Sequence, residues 1–224
     1  MLRVYSIKPG LRTFGAYTGV VEVVVRFGGC CLACSDCHLP ADARIQTGTE
    51  MNVSALLDRL HPFRGNVMHL RLAGGEPLLQ PQSYLVALLK DVLSRDWGFQ
   101  TVTVSTSGAM SIEGIQAIRS TSVLRFSVSY KPPSTGMTSR MVFKNYSFLR
   151  PCDEIRVKCL TEEDLSDATG FLLGVPKTAT PGPCLSWEAW TPQMFVAISK
   201  FILDDSNRMR QYFDMRLVGD CGVR

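Results

Sequence analysis

The sequence predicts an α/β fold of mostly parallel strands, an incomplete (β/α)6-like barrel or a curved open sheet, and three observations carry that prediction. β-Branched runs alternate with helical stripes along the chain, as in βαβ units whose crossover helices cover a parallel sheet. The candidate strands and helices in 224 residues are too few for a closed eightfold barrel, which usually takes about 250 residues. Glycine- or cysteine-rich segments follow strand ends directly, where α/β folds bind their ligands.

Residues 20–27, VVEVVVRF, form the first expected strand, bounded by Gly19 and the pair Gly28-Gly29. Residues 52–60 carry apolar side chains at helical spacing and stop at His61-Pro62, where a helix cannot continue. Residues 67–72 are a second strand running into Gly74-Gly75. Residues 81–95 have a helical stripe at Tyr84, Leu85, Leu88, Leu89 and Leu93. A strand over 101–104, a short helix over 111–120, and strands over 123–128 and 154–159 follow. A helix over 162–173, another over 192–203 and a last strand over 213–218 complete six strands and about five helices, on the alternation of patterns.

With 46% hydrophobic residues the chain can bury one sizeable core, and it reads as a single domain over residues 1–224. The net charge of +4 is small and scattered, unlike the clustered basic footprint of a nucleic-acid binder. No apolar run reaches the roughly 18 residues of a membrane span, and MLRVYSIKPGLRTF lacks the apolar core of a signal peptide, so a cytoplasmic protein is expected. Of eight cysteines, four fall between Cys30 and Cys37, while Cys152, Cys159, Cys184 and Cys221 are dispersed. That distribution points to a metal site in a reducing compartment rather than a disulfide framework. Trp187, Trp190 and Phe195 are candidates for a pocket lining, with core packing as the other use.

Cys30, Cys34 and Cys37 give C-x3-C-x2-C directly after the first strand. Three thiolates can hold three irons of a cubane cluster and leave the fourth iron open. The alternative is a structural zinc site completed by His38 or Cys31, although no second knuckle occurs. The side chain of Cys31 is expected to diverge from that of Cys30. One βαβ unit later come Gly74-Gly75-Glu76-Pro77, and glycines at a strand end let a ligand approach the backbone. Alone, this is also an ordinary strand-to-helix turn.

Together the two motifs resemble radical S-adenosylmethionine enzymes, and the radical SAM partial barrel is the fold that this resemblance implies. In these enzymes the open iron is chelated by the amino and carboxylate groups of the cofactor's methionine end. Four stretches resemble one family in particular, 7-carboxy-7-deazaguanine synthase: RFGGCCLACSDC (26–37), GGEPLLQ (74–80), STSG (105–108) and SYKPPSTGM (129–137). The resemblance implies a lyase of queuosine and deazapurine biosynthesis that contracts the ring of 6-carboxy-5,6,7,8-tetrahydropterin. It assigns the 4Fe-4S cluster to Cys30, Cys34 and Cys37, and S-adenosylmethionine to Asp36, Cys37, His38, Gly75, Glu76, Ser129, Tyr130 and Lys131. Arg26 and Ala73 would meet the substrate, the arginine through bidentate pairing with its carboxylate. A one-electron donor such as a flavodoxin and a homodimeric assembly come with the same resemblance.

The family pattern is broken in places. Its Asp-Thr after the third cysteine is His38-Leu39 here, and Leu39 has no oxygen for a hard cation, so magnesium stays open. The N-terminal Gln-Gly-Glu that reads the pterin edge would fall near Leu11-Arg12-Thr13 and is absent. Glu-Thr-Asn-Gly has become Ser105-Thr106-Ser107-Gly108, and a C-terminal Gln-x-His-Lys is missing near Leu217 to Cys221. A divergent synthase fits this pattern. So do a relative acting on another substrate, such as a polypeptide-activating enzyme, and a metal-binding relative without catalysis.

Overall fold

A computed structural model describes residues 1–37, 39, 47–118, 122–175, 184–189, 191–204 and 214–219. Its strands are β1 (Leu2–Leu11), β2 (Val21–Phe27), β3 (Thr49–Met51), β4 (His69–Gly74), β5 (Thr101–Thr106), β6 (Leu124–Tyr130), β7 (Glu154–Cys159), β8 (Cys184–Ala189) and β9 (Asp214–Gly219). The helices are α1 (Val53–Leu60), α2 (Gln82–Val92), α3 (Glu162–Gly174) and α4 (Pro192–Asp204). One nine-stranded sheet runs β3-β1-β2-β4-β5-β6-β7-β8-β9. From β2 to β9 every neighbouring pair is parallel, and β1 is antiparallel to both β2 and β3.

The α/β class and the parallel order agree with the sequence, while three strands and one helix differ. β1 carries Pro9 and Gly10, which obscure its alternation, and β3 is only three residues long. β8 reads CLSWEA, with small or charged residues at every second position, so no β-branched run announces it. The expected helix over 111–120 is a 3-10 helix at Glu113–Ile118. Gly114 lies inside it, and glycine weakens helix formation.

The core lies between the outer face of the sheet and the helices. Val23, Val25, Phe27, Leu70, Leu72, Val102, Val104, Phe126, Val128, Ile155 and Val157 alternate along their strands and pack against Leu56 and Leu60 of α1, Leu85, Leu88 and Leu89 of α2, and Leu165 and Leu172 of α3. Trp187 belongs to this layer, fully buried and edge-on to Phe201 at 5.4 Å. Phe195 is exposed and lies outside the core, and Trp190 lies outside the described residues. α1 begins at Asn52, whose side-chain oxygen accepts from the amide of Ala55 at 2.8 Å. Asn52→Ala is expected to cost about 1 kcal/mol, seen as a lower urea midpoint with an unchanged slope.

The inner face of the sheet is polar and encloses a lumen. Arg71 pairs with Glu22 at 2.6 Å, Arg12 with Glu154 at 3.1 Å and Arg156 with Glu188 at 2.6 Å. The β1–β2 connection enters this space. The Phe14 ring lies 4.6 Å from the guanidinium of Arg71 and 4.2 Å from that of Arg156, and Tyr17 sits likewise beside Arg12 and Arg125. Arg71 is on β4 and Arg156 on β7, with two strands between them. Their meeting on one ring reflects a sheet curved around its inner face.

Candidate active site

The ligand end of the lumen is roofed by the cysteine loop, and glycines set how closely that loop approaches the sheet. The amide of Gly75 donates to the carbonyl of Phe27 at 3.0 Å, and the amide of Glu76 to that of Gly29 at 2.8 Å. A Cβ placed on Gly75 would fall 1.9 Å from the Gly29 oxygen. The close approach expected of a ligand at Gly75 is therefore made by the chain's own cysteine loop.

Glu76 also differs from expectation. It is fully buried and its carboxylate accepts from Thr106 Oγ1 at 2.8 Å, the Ser107 amide at 2.8 Å, the Ser107 hydroxyl and the Leu78 amide at 3.1 Å. Four internal donors saturate it, so the side chain clamps the end of β4 to the end of β5. The altered Ser105 to Gly108 stretch supplies two of the donating residues.

Cys30, Cys31, Cys34 and Cys37 are free and partly buried. The Cys31 thiol hydrogen-bonds Cys30 and, with smaller help from the Leu32 backbone, outweighs burial to hold Cys30 down at about 6. The same interaction pushes Cys31 upward. Burial pushes the Cys34 thiol up, Lys131 opposes, and the charges of Asp36, Cys30 and Cys37 add to the rise. Three thiols that feel one another's charge share one neighbourhood. Among the described residues no three ligating side chains converge on a point, as a single metal ion would require. A cubane instead takes each thiolate on a different iron, and the donor set fits it.

The loop is pinned from the far side of the barrel. Ser35 donates from its amide to the Thr135 carbonyl at 3.3 Å and from its hydroxyl to the Ser134 carbonyl at 2.8 Å. Ser134 in turn donates to the buried Asp164 through its amide at 3.0 Å and its hydroxyl at 2.6 Å. The Lys131 to Met137 stretch is thus a scaffold for the cysteines, anchored on the capping box of α3. Lys158 on β7 reaches Asp36 Oδ2 at 2.6 Å. Burial pushes the Asp36 carboxyl up, but the hydrogen bond and charge of Lys158, joined by Lys131, bring it below its usual value.

Two cations stand apart from this pairing. Arg26, at the end of β2 beside Ala73, and Lys131, just past β6, make no ion pair among the described residues. Lys131 is close enough to act electrostatically on Cys30, Cys34, Asp36 and Glu188. Ser129 shares the inner-facing parity of Ser127, which donates to Glu154 at 2.8 Å. Tyr130 does not: its ring stacks on Phe171 at 4.4 Å and its hydroxyl donates to Asp167 at 2.6 Å, on the helical side. An expected cofactor contact from the Tyr130 side chain is therefore withdrawn. Ser105 Oγ is buried without a hydrogen-bond partner among the described residues. Leu39 is partly buried, and His38 lies outside the described residues. Arg12 is committed to Glu154 and to the Phe14 carbonyl.

Comparison with known proteins agrees with this geometry. Residues 16–131 match the 4Fe-4S single cluster domain family. The 7-carboxy-7-deazaguanine synthase of Leptospira interrogans is 30% identical over 168 residues, covering 68% of this chain and 68% of that protein. The enzyme of the same name from Clostridium acetobutylicum is 30% identical over 162 residues, 70% of this chain and 68% of that one. The crystal structure of QueE from Escherichia coli has the same fold, with a TM-score of 0.69 and 16% identity over 96% of this chain and 93% of that one.

Proposed function

The chain belongs to the 7-carboxy-7-deazaguanine synthase family, radical S-adenosylmethionine lyases with a 4Fe-4S cluster, and we propose that it contracts 6-carboxy-5,6,7,8-tetrahydropterin to 7-carboxy-7-deazaguanine. One observation carries the choice of substrate class. Arg12, Arg71, Arg156 and Lys158 are ion-paired while Arg26 and Lys131 make no ion pair among the described residues, and the reaction brings two carboxylates, one on the pterin and one on the cofactor. Arg26, beside Ala73, takes the pterin carboxylate, and Lys131 with Ser129 takes the cofactor's polar groups.

Cys30, Cys34 and Cys37 hold the cluster, and the backbone at Asp36 and Cys37 borders the cofactor. When bound, the reduced cluster and S-adenosylmethionine would supply the hydrogen-abstracting radical chemistry that the ring contraction needs. The protein positions the reacting carbon and keeps water from the radical. Phe14 and Tyr17 fill the lumen from the β1–β2 connection and exclude solvent on that side. Partly buried cysteines leave the cluster within reach of a docked one-electron donor such as a flavodoxin. A cytoplasmic homodimer completes the reading, and none of the described helices is long and apolar enough to cross a membrane.

The test is an anaerobic incubation of reconstituted protein with reductant, S-adenosylmethionine and the carboxy-tetrahydropterin, with the deazaguanine read by mass. Product is expected, and its formation should change little between magnesium-free and millimolar-magnesium buffer, because Leu39 offers no oxygen ligand. Cofactor cleavage without deazaguanine would overturn the substrate. Strong magnesium stimulation would assign the ion to another oxygen.

A further inference from the structure

Arg71 and Arg156 both lie over the Phe14 ring, 4.6 and 4.2 Å from its centroid, but they are not equivalent. The Arg71 side chain is 7% exposed and that of Arg156 is 16% exposed. Arg156 Nε donates to Glu188 Oε1 at 2.6 Å and Nη2 to Oε2 at 3.2 Å. Its guanidinium thus has one edge on a carboxylate of β8 and one face on an aromatic ring of the β1–β2 connection. The exposure it keeps is into the lumen, because it lies on the inner face of the sheet with Phe14. The pair also sits directly below the ligand end. Lys158, the next inward-facing residue of β7, reaches Asp36 of the cysteine loop and stands in register with Glu188. Glu188 feels the charges of both Lys131 and Lys158.

We propose that the guanidinium of Arg156 is the platform on which the flat pyrimidine half of the carboxy-tetrahydropterin stacks, with Glu188 and Phe14 as the positioning residues that hold it. The inference deepens the proposed substrate reading and rests on it. Glu188 already meets the charge of Arg156, so what the side chain offers a ligand is a plane. A guanidinium is weakly hydrated and stacks on π-systems, and the pterin ring is uncharged and made electron-rich by its amino substituents. The Phe14 ring is itself taken, with a guanidinium over it from each of β4 and β7. Successive inward-facing residues of a strand are about 6.6 Å apart, which leaves room for one flat ring between the level of Arg156 and that of Lys158 and Asp36.

Anaerobic calorimetry on the cluster-loaded enzyme without reductant tests this with two ligands: S-adenosylmethionine, and the carboxy-tetrahydropterin added to enzyme saturated with S-adenosylmethionine. Arg156→Lys keeps the charge and loses the plane. It is expected to bind the pterin about five- to tenfold more weakly and S-adenosylmethionine as before. Phe14→Leu should weaken the pterin alone about two- to threefold, and should add nothing in the Arg156→Lys background, the non-additivity of residues that act through one another. If Arg156→Lys does not fold, Phe14→Leu carries the test through its selectivity for the pterin. Unchanged pterin affinity in Arg156→Lys would reduce the residue to its charge and overturn the proposal. Equal weakening toward both ligands would overturn it too, as would a loss confined to S-adenosylmethionine, which would give the plane to adenine. An unmodified enzyme that binds S-adenosylmethionine but no carboxy-tetrahydropterin would instead overturn the substrate reading itself.

Discussion

Replacement of Cys30, Cys34 or Cys37 by Ala is expected to leave the reconstituted protein with almost no cluster iron, whereas Cys31→Ala should retain it. Two thiolates cannot hold a cubane that already lacks a protein ligand on its fourth iron. Cys31 lowers the Cys30 thiol's pKa in the metal-free chain, an influence that coordination of Cys30 to iron would replace. Iron and sulfide counts on the four variants are the measurement. The closeness of the two neighbouring thiols makes one alternative outcome specific: iron kept in Cys30→Ala and lost in Cys31→Ala would move the ligand to Cys31.

The outer half of this fold was written plainly in the sequence, and the inner half was not. Val23, Val25 and Phe27 alternate with inward residues on β2, and the helices show their stripes, because both bury apolar surface in one continuous core. Inward residues carry no such signature. Glu22, Arg71, Glu154, Arg156 and Glu188 read as ordinary surface charges until the sheet curves and brings each carboxylate to a guanidinium. β8 was missed for that reason: Cys184, Ser186 and Glu188 interrupt its hydrophobic pattern, and Ser186 donates to Glu154 at 2.6 Å, a partner 32 residues away.

The site divides in the same way. The spacing of Cys30, Cys34 and Cys37 was legible because one loop supplies all three. Lys158 was not, since it reaches Asp36 across 122 residues of sequence. Glu76 and Gly75 were legible as special residues but not in their roles. A carboxylate at a strand end looks the same in sequence whether it faces a ligand or the hydroxyls of the next strand. A glycine that admits a ligand looks the same as one that admits the chain's own backbone.

That ambiguity makes Gly75→Ala the sharpest test of the fold around the site. If the glycine only admitted a cofactor, the variant would fold normally, assemble its cluster and bind S-adenosylmethionine weakly. The structure gives a different expectation, because the added Cβ would meet the Gly29 oxygen at 1.9 Å, the Gly29 carbonyl carbon at 2.4 Å and the Cys30 amide nitrogen at 3.1 Å. All three are backbone atoms, so no side-chain rotation relieves the clash. The cysteine loop must separate from the end of β4, which breaks the Glu76 to Gly29 and Gly75 to Phe27 hydrogen bonds at 2.8 and 3.0 Å. Overpacking together with lost buried hydrogen bonds should destabilise the metal-free protein by about 3 kcal/mol or more. Iron content should fall with it, since Cys30 follows Gly29 directly. Gly170→Ala is the matched control: Gly170 lies within α3 with open space around its would-be Cβ, so the change should be neutral or stabilise by about 0.5–1 kcal/mol. Urea unfolding of both metal-free variants, with iron counts after reconstitution, decides between the two roles. A Gly75→Ala protein of normal stability and full iron content would show that the cysteine loop does not press against Gly75.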